Sequence, residues 1–180
     1  PAVVRDAIPA EGLPGCHMVG DDPHGWWACL EGVPDPEIPV ISIVELGVVR
    51  DIRQGEHGID VDLSPTYTGC PAMDMMAEDV QKSLAEKTGQ QVQVHLVIDP
   101  PWTTDWLSES TKDKLRAYGI APPVGSTSDK RELFGPPAQV SCPKCQSAQT
   151  ERVSAFGSTA CKSLYRCLDC QEPFDYFKCH

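Results

Sequence analysis

The residues best placed for chemistry are two pairs of cysteines, CPKC at 142–145 and CLDC at 167–170, with 21 residues between them. Each CxxC can grip one ion through a tight turn, and four thiolates from two such turns make the tetrahedral sulfur set that zinc prefers. The spacing therefore marks Cys142, Cys145, Cys167 and Cys170 as metal ligands, with zinc the expected ion. Iron or an iron-sulfur cluster suits the same thiolates, and free or disulfide-paired cysteines are the remaining reading. A closed four-thiolate site leaves no coordination position for a substrate, so its expected role is structural or as a docking module. Cys161 in GSTACK and Cys179 in FKCH stand outside the paired pattern, and His180 is the last residue. These three read as spare buried thiols or surface groups, or Cys161 and Cys179 together as a second, weaker site.

A second point of interest is LSPTYTGCPAMDMM, residues 63–76, where a strand-like run gives way to a helix-like one at Cys70. If Cys70 caps that helix, Pro71 takes the first helical position, where its missing N–H costs nothing. The sulfur would then face unpaired backbone N–H groups and the positive end of the helix dipole, which favour thiolate and hence nucleophilic or metal-binding behaviour. Gly69 lets the chain turn closely, and Thr66 and Thr68 add hydroxyls. The competing reading is a small buried hydrophobe. A further chemical group comes from the proline-stiffened DPEIP turn, whose Asp35 and Glu37 supply carboxylates, with a turn or surface role as the alternative. Cys16, Cys29, His17, His24, His57 and His95 show no ligand spacing with one another and are treated as background. Trp26, Trp27, Trp102 and Trp106 read as core or domain-contact residues.

Periodicity supplies the elements that must position these groups. Residues 1–23 are rich in Pro, Gly and acid without a period and read as a flexible N-terminal arm. A short helix is expected within His24–Gly32, and Pro34, Pro36 and Pro39 then forbid its continuation. ISIVELG and VVRDIRQ are β-branched runs, and GIDVDLSP alternates Ile59, Val61 and Leu63 against aspartates, so three strands are expected, with EHG as a hairpin turn. Met73, Met76, Ala77, Val80 and Leu84 fall at helical spacing over 71–88, stopped by Gly89. QVQVHLVI places Val92, Val94, Leu96 and Ile98 on one strand face, and SESTKDKLRAYG reads as a helix opened by Ser108 or Ser110 and closed by Gly119. Trp102 and Trp106 lie together if DPPWTTDWLS begins helically. Residues 119–140 are dense in Pro, Gly and Ser and form a linker, after which TERVSAFG and KSLYRC read as short ribbon strands. The expected architecture is α+β: a small two-layer α/β sandwich with a mixed sheet over 24–118, followed by a four-cysteine zinc ribbon over 141–180.

Composition narrows the function classes. At 180 residues the chain suits one main domain plus a small satellite. The net charge is -11, and residues 1–135 carry ten Lys+Arg against 22 Asp+Glu, while residues 136–180 carry five against four. Such an acidic balance opposes phosphate-backbone binding and disfavours nucleic acid as a partner. No apolar run is long enough to cross a bilayer and no export-type start is visible, so no membrane role and a cytoplasmic location are expected.

Taken together, DPEIPVISIVELGVVRDI, LSPTYTGCPAMDMMAEDV and DPPWTTDWLSESTKDKLRAYGIAPP resemble the small α/β domain of the SufT-like iron-sulfur assembly factors. Joined to CPKC, FGSTACKSLYRC and EPFDYFKC, the order resembles the PaaD family of phenylacetate-degradation proteins over roughly residues 24–180. The resemblance implies a bacterial cytoplasmic accessory subunit of the ring 1,2-phenylacetyl-CoA epoxidase system. It implies that Cys70, Asp35 and Glu37 are functional positions for handling iron or an iron-sulfur cluster transiently. The implied partners are the oxygenase and/or reductase subunits, with a possible homodimer. A stoichiometric structural or regulatory subunit is the alternative, and a thiol enzyme using Cys70 would need a base that no nearby histidine supplies in sequence. The chain has no Glu-x-x-His di-iron pattern, G-x-G-x-x-G turn or ferredoxin-type cysteine loop, so oxygen activation and electron transfer are expected to belong to other chains. One departure from common ribbons is that Gln146 and Gln171 follow the CxxC pairs, where glycine usually eases the turn.

Overall fold

The computed structural model describes residues 22–67, 69–124 and 139–178. Helix α1 (Trp26–Leu30) starts where Asp22 accepts hydrogen bonds from the N–H groups of Trp26 at 2.8 Å and Ala28 at 3.1 Å. The prolines then carry the chain through an irregular segment. ISIVELG is a turn rather than the expected strand, because Ser42 and Glu45 cap one another. The Ser42 N–H donates to Glu45 Oε2 at 3.0 Å and the Glu45 N–H to Ser42 Oγ at 3.1 Å. This is the reciprocal pattern of a capping box, and it satisfies the backbone without a ladder. The β-branched side chains still do their apolar work, since Ile41, Ile43 and Leu46 are all buried.

Strand β1 (Val49–Gln54) pairs antiparallel with β2 (Ile59–Leu63), joined by the expected hairpin turn. Alternation in β2 is borne out: Ile59, Val61 and Leu63 are fully buried, with half-buried Asp60 and Asp62 between them. Helix α2 (Met73–Thr88) buries Met73, Met76, Val80 and Leu84 along one stripe and stops at Gly89, whose φ of 69° only glycine adopts without strain. It leads into β3 (Val92–Leu96), which pairs parallel with β2 and makes the sheet mixed, in the order β1-β2-β3. β3 is an edge strand. Val92 and Val94 are half-buried, whereas Leu96 and Ile98 are exposed, so the expected apolar face is covered only at its start.

Beyond it, a 3-10 turn (Thr104–Trp106) brings Trp102 and Trp106 into an edge-to-face pair with centroids 6.4 Å apart, and the buried Trp102 Nε1–H donates to Leu46 O at 2.9 Å. Ser108 caps α3 (Glu109–Tyr118) by accepting from the Thr111 N–H, and Gly119 ends it. Ile120–Ala121, inside the segment read as linker, instead form β4 and join a second sheet. That sheet has the order β4-β7-β6-β5, from β5 (Thr150–Ser154), β6 (Lys162–Cys167) and β7 (Pro173–Phe177). Its own core is small: Ala121, Val140, Tyr165, Phe174 and Tyr176 gather around Cys142 and Cys167.

The two bodies are packed together. Phe177, 1% exposed, and buried Cys161 leave the small ribbon core and join the main one. The Phe177 ring meets Trp102 edge-to-face with centroids 6.0 Å apart. Two tryptophans, Trp26 and Trp102, are buried, and Trp27 and Trp106 pack partly buried against the same core.

Candidate functional sites: a four-thiolate knuckle and a thiol–carboxylate cluster

Cys142 and Cys145 sit on the loop before β5, Cys167 ends β6, and Cys170 lies on the turn between β6 and β7. The Cys142 N–H donates to Ser147 O at 2.9 Å and the Cys167 N–H to Glu172 O at 2.9 Å, so each pair is clasped by its own backbone. The Cys170 N–H also points at Cys167 Sγ, 3.5 Å away. All four sulfurs lie within 4.8 Å of one another, with Cys142–Cys170 at 3.7 Å and Cys145–Cys167 at 3.6 Å. A tetrahedral ion with Zn–S bonds of about 2.3 Å sets its sulfurs about 3.8 Å apart, so the donor set and its spacing fit such an ion.

Gln146 and Gln171 occupy the left-handed region at φ 62° and φ 61°, the conformation that makes glycine common there. A side chain in that region costs on the order of 1 kcal/mol. Gln146→Gly and Gln171→Gly are each expected to raise the stability of the metal-loaded protein by up to about 1 kcal/mol, read as a higher urea midpoint at unchanged slope.

Cys70 lies elsewhere, on the loop between β2 and α2. The helix starts at Met73 with Ala72 as its cap, so Cys70 precedes the cap and Pro71 is not the first helical residue. Gly69 has φ 86° and does make the close turn. The half-buried Cys70 thiol is pushed up rather than down. Burial is the largest cause and the Glu37 and Asp35 carboxylates add to it, against a downward pull from the Ala72 and Met73 N–H groups. The helix start is felt, but desolvation and like charge outweigh it. The surroundings therefore work against a metal-free thiolate at Cys70, the opposite of the direction that the helix-start argument expects.

The two carboxylates differ. Asp35 is 4% exposed and accepts hydrogen bonds from the Glu37 N–H at 2.8 Å and the Ile38 N–H at 2.7 Å. Its carboxyl ties the DPEIP turn together, and burial raises its pKa. Glu37 is half-buried, and its Oε2 lies 3.8 Å from Cys161 Sγ. Cys161, set aside in the sequence as a spare thiol, reaches this place from the FGSTACK loop of the ribbon. Its sulfur contacts Thr159 Oγ1 at 3.0 Å, and Lys162, almost fully buried, bears electrostatically on both Cys161 and Asp35. Thr66 is buried in the same β2–α2 loop as Cys70. Thr68, Cys179 and His180 lie outside the described residues, as do Cys16 and His17. Cys29 is engaged with Ser83, its Sγ 3.3 Å from Ser83 Oγ, and His95 Nε2 lies 3.3 Å from Asp60 Oδ1.

Residues 27–96 match the family model of iron-sulfur cluster assembly proteins, and residues 126–178 that of the PaaD zinc beta ribbon domain. Over 156 residues the chain is 46% identical to an Escherichia coli protein named, provisionally, as a subunit of 1,2-phenylacetyl-CoA epoxidase, covering 87% of this chain and 92% of that one. The chain belongs to the PaaD family. Its first domain is also 39% identical over 88 residues to the Bacillus subtilis Fe-S protein maturation auxiliary factor YitW, covering 48% of this chain and 85% of the relative. A solved domain of unknown function, DUF59, from Bacillus anthracis is 32% identical with a TM-score of 0.46, covering 50% of this chain and 87% of that structure. The PaaD-type order of the chain, an α/β assembly domain followed by a cysteine ribbon, is that of the described structure. Among the described residues no helix is long and apolar enough to cross a membrane.

Proposed function

We propose that this protein is a cytoplasmic accessory factor in the maturation of a multicomponent phenylacetyl-CoA epoxidase, taking up iron or an iron-sulfur cluster as cargo at Cys70 and passing it to the oxygenase or reductase subunits. The observation that carries this reading is the position of Cys70, half-buried after the Gly69 turn and within electrostatic reach of the Asp35 and Glu37 carboxylates, in a domain that matches iron-sulfur cluster assembly proteins. A protonated, partly shielded thiol holds a soft ion by giving up its proton on binding, which makes retention reversible. The ribbon holds zinc at Cys142, Cys145, Cys167 and Cys170 and has a structural and docking role, since four thiolates close the ion to substrate.

The test is to purify the oxygenase and reductase subunits from cells carrying the wild-type chain, no chain, or Cys70→Ser, and to measure bound iron and acid-labile sulfide. Maturation by Cys70 predicts that at least one partner loses most of its metal both without the chain and with Cys70→Ser. Equal metal content in all three preparations refutes it. The name of the Escherichia coli relative, as part of an epoxidase, favours a second reading, a stoichiometric component of the assembled enzyme. That reading predicts normal metal content, co-purification at a fixed ratio, and turnover that falls when the chain is withheld from already mature subunits.

A further inference from the structure

The cluster around Cys70 is built from two domains, and the second domain brings a thiol of its own. Cys161 Sγ stands 3.8 Å from Glu37 Oε2, the same carboxylate that acts on Cys70, and the charge of Cys70 bears on Cys161. Cys70 and Cys161 pack on one continuous core, and both are free thiols. The FGSTACK loop is held in place to deliver this sulfur. Gly157 lies against Asp175, where a Cβ would come within 2.3 Å of the carboxylate, and Ser158 Oγ donates to Asp175 Oδ2 at 2.7 Å. The backbone on either side of the thiol is also fixed, with the Lys178 N–H donating to Cys161 O at 3.0 Å and the Lys162 N–H to Thr159 O at 3.1 Å.

Resting on the cargo reading of Cys70, we propose that Cys161 is the second thiol ligand of the cargo site, so that Cys70, Cys161 and Glu37 together form a two-sulfur, one-carboxylate site for a thiophilic divalent cation between the two domains. Binding replaces two S–H bonds by two metal–sulfur bonds and releases two protons to solvent, with no change in oxidation state. Two thiolates and one carboxylate overbalance a divalent charge by one, and the buried Lys162, whose Nζ lies 4.0 Å from Asp175 Oδ2, offsets part of the negative charge felt at Cys161. Among the described residues the ribbon thiols are the group of three or more donors that lie mutually within 4.8 Å. The triad is therefore not preformed as the knuckle is, and the proposal requires Cys70, which follows the Gly69 turn, to close on the Cys161–Glu37 pair when an ion binds. A permanent structural ion belongs to the tight set and an exchangeable one to the loose set.

Cobalt(II) is the probe, added to full-length protein already carrying one equivalent of zinc, so that the ribbon is occupied. Wild type is expected to take up one cobalt with sulfur-to-metal charge-transfer absorption, and both Cys161→Ser and Cys70→Ser are expected to weaken that binding at least tenfold while keeping the zinc equivalent. Cobalt X-ray absorption on the wild type, which needs no variant to fold, is expected to count two sulfur neighbours. One sulfur neighbour, or Cys161→Ser binding cobalt like wild type while Cys70→Ser does not, overturns the composite site and leaves Cys70 as the cargo thiol. Absence of any cobalt beyond the zinc equivalent also overturns the composite site, whereas the maturation role stands or falls separately on the iron and sulfide content of the partner subunits.

Discussion

Chelation of the metal-loaded protein is expected to unfold the ribbon, residues 139–178, while leaving most of the α/β domain's helical signal. The sheet around Tyr165, Phe174 and Tyr176 has only a handful of core residues, and two of them are the candidate ligands Cys142 and Cys167. A core that small cannot offset the entropy of ordering its chain. Ion binding must therefore supply much of the folding free energy, on the order of 10 kcal/mol for a structural zinc. Cys145→Ser should reproduce the effect in part by removing one of the four thiolates. The ribbon's exchange-protected amides and its near-ultraviolet tyrosine signal report the loss, and re-addition of zinc should restore both. The pH dependence has a definite sign, because each ligand must lose a proton to bind. Metal affinity, and with it ribbon stability, falls as the solution is acidified. A ribbon that keeps its protected amides in the presence of excess chelator would contradict this account.

Phe177→Ala is expected to be the most damaging single apolar truncation at the junction, costing about 3–5 kcal/mol. The ring is 1% exposed and packs edge-to-face on Trp102, which in turn is fixed by its bond to Leu46 O. Removing it opens a cavity where the ribbon enters the core of the other domain, so the loss should fall on both bodies. Urea unfolding, expected as one transition in the metal-loaded wild type, should split in two, with the ribbon melting separately. A single transition, shifted by less than about 1 kcal/mol, would mean that the ring contributes little more than surface cover.

What could be read in the sequence follows the range of the interactions involved. The four-thiolate knuckle was legible because ligand, turn and partner pair lie within a few residues, and even the strain at Gln146 and Gln171 could be anticipated from residue type. Helix α2 and strand β2 were legible for the same reason, as their periods are written locally. The Ser42–Glu45 box was present in the letters too, but a β-branched run masked it. Cys70 shows where local reasoning stops. The position near a helix start was right, yet the direction of its pKa is set by burial and by Asp35 and Glu37, which stand more than thirty residues away in sequence. Cys161 was illegible for a related reason. Nothing in its spacing to other cysteines marks it, and only the docking of the ribbon brings it to Glu37. Strand β4 was hidden inside a stretch whose Pro and Gly content suggested a linker.

That two-residue strand has a mechanical corollary. Because Ile120 and Ala121 leave helix α3 and immediately hydrogen-bond to Asp175 and Tyr176 of β7, the first domain is riveted into the sheet of the second at its very exit point. A tethered module could swing aside to surrender what it carries, but this one would have to tear a ladder to do so. Should Cys70 carry cargo as proposed, release is then expected to act at Cys70 itself, with the ribbon sheet serving as a fixed jaw.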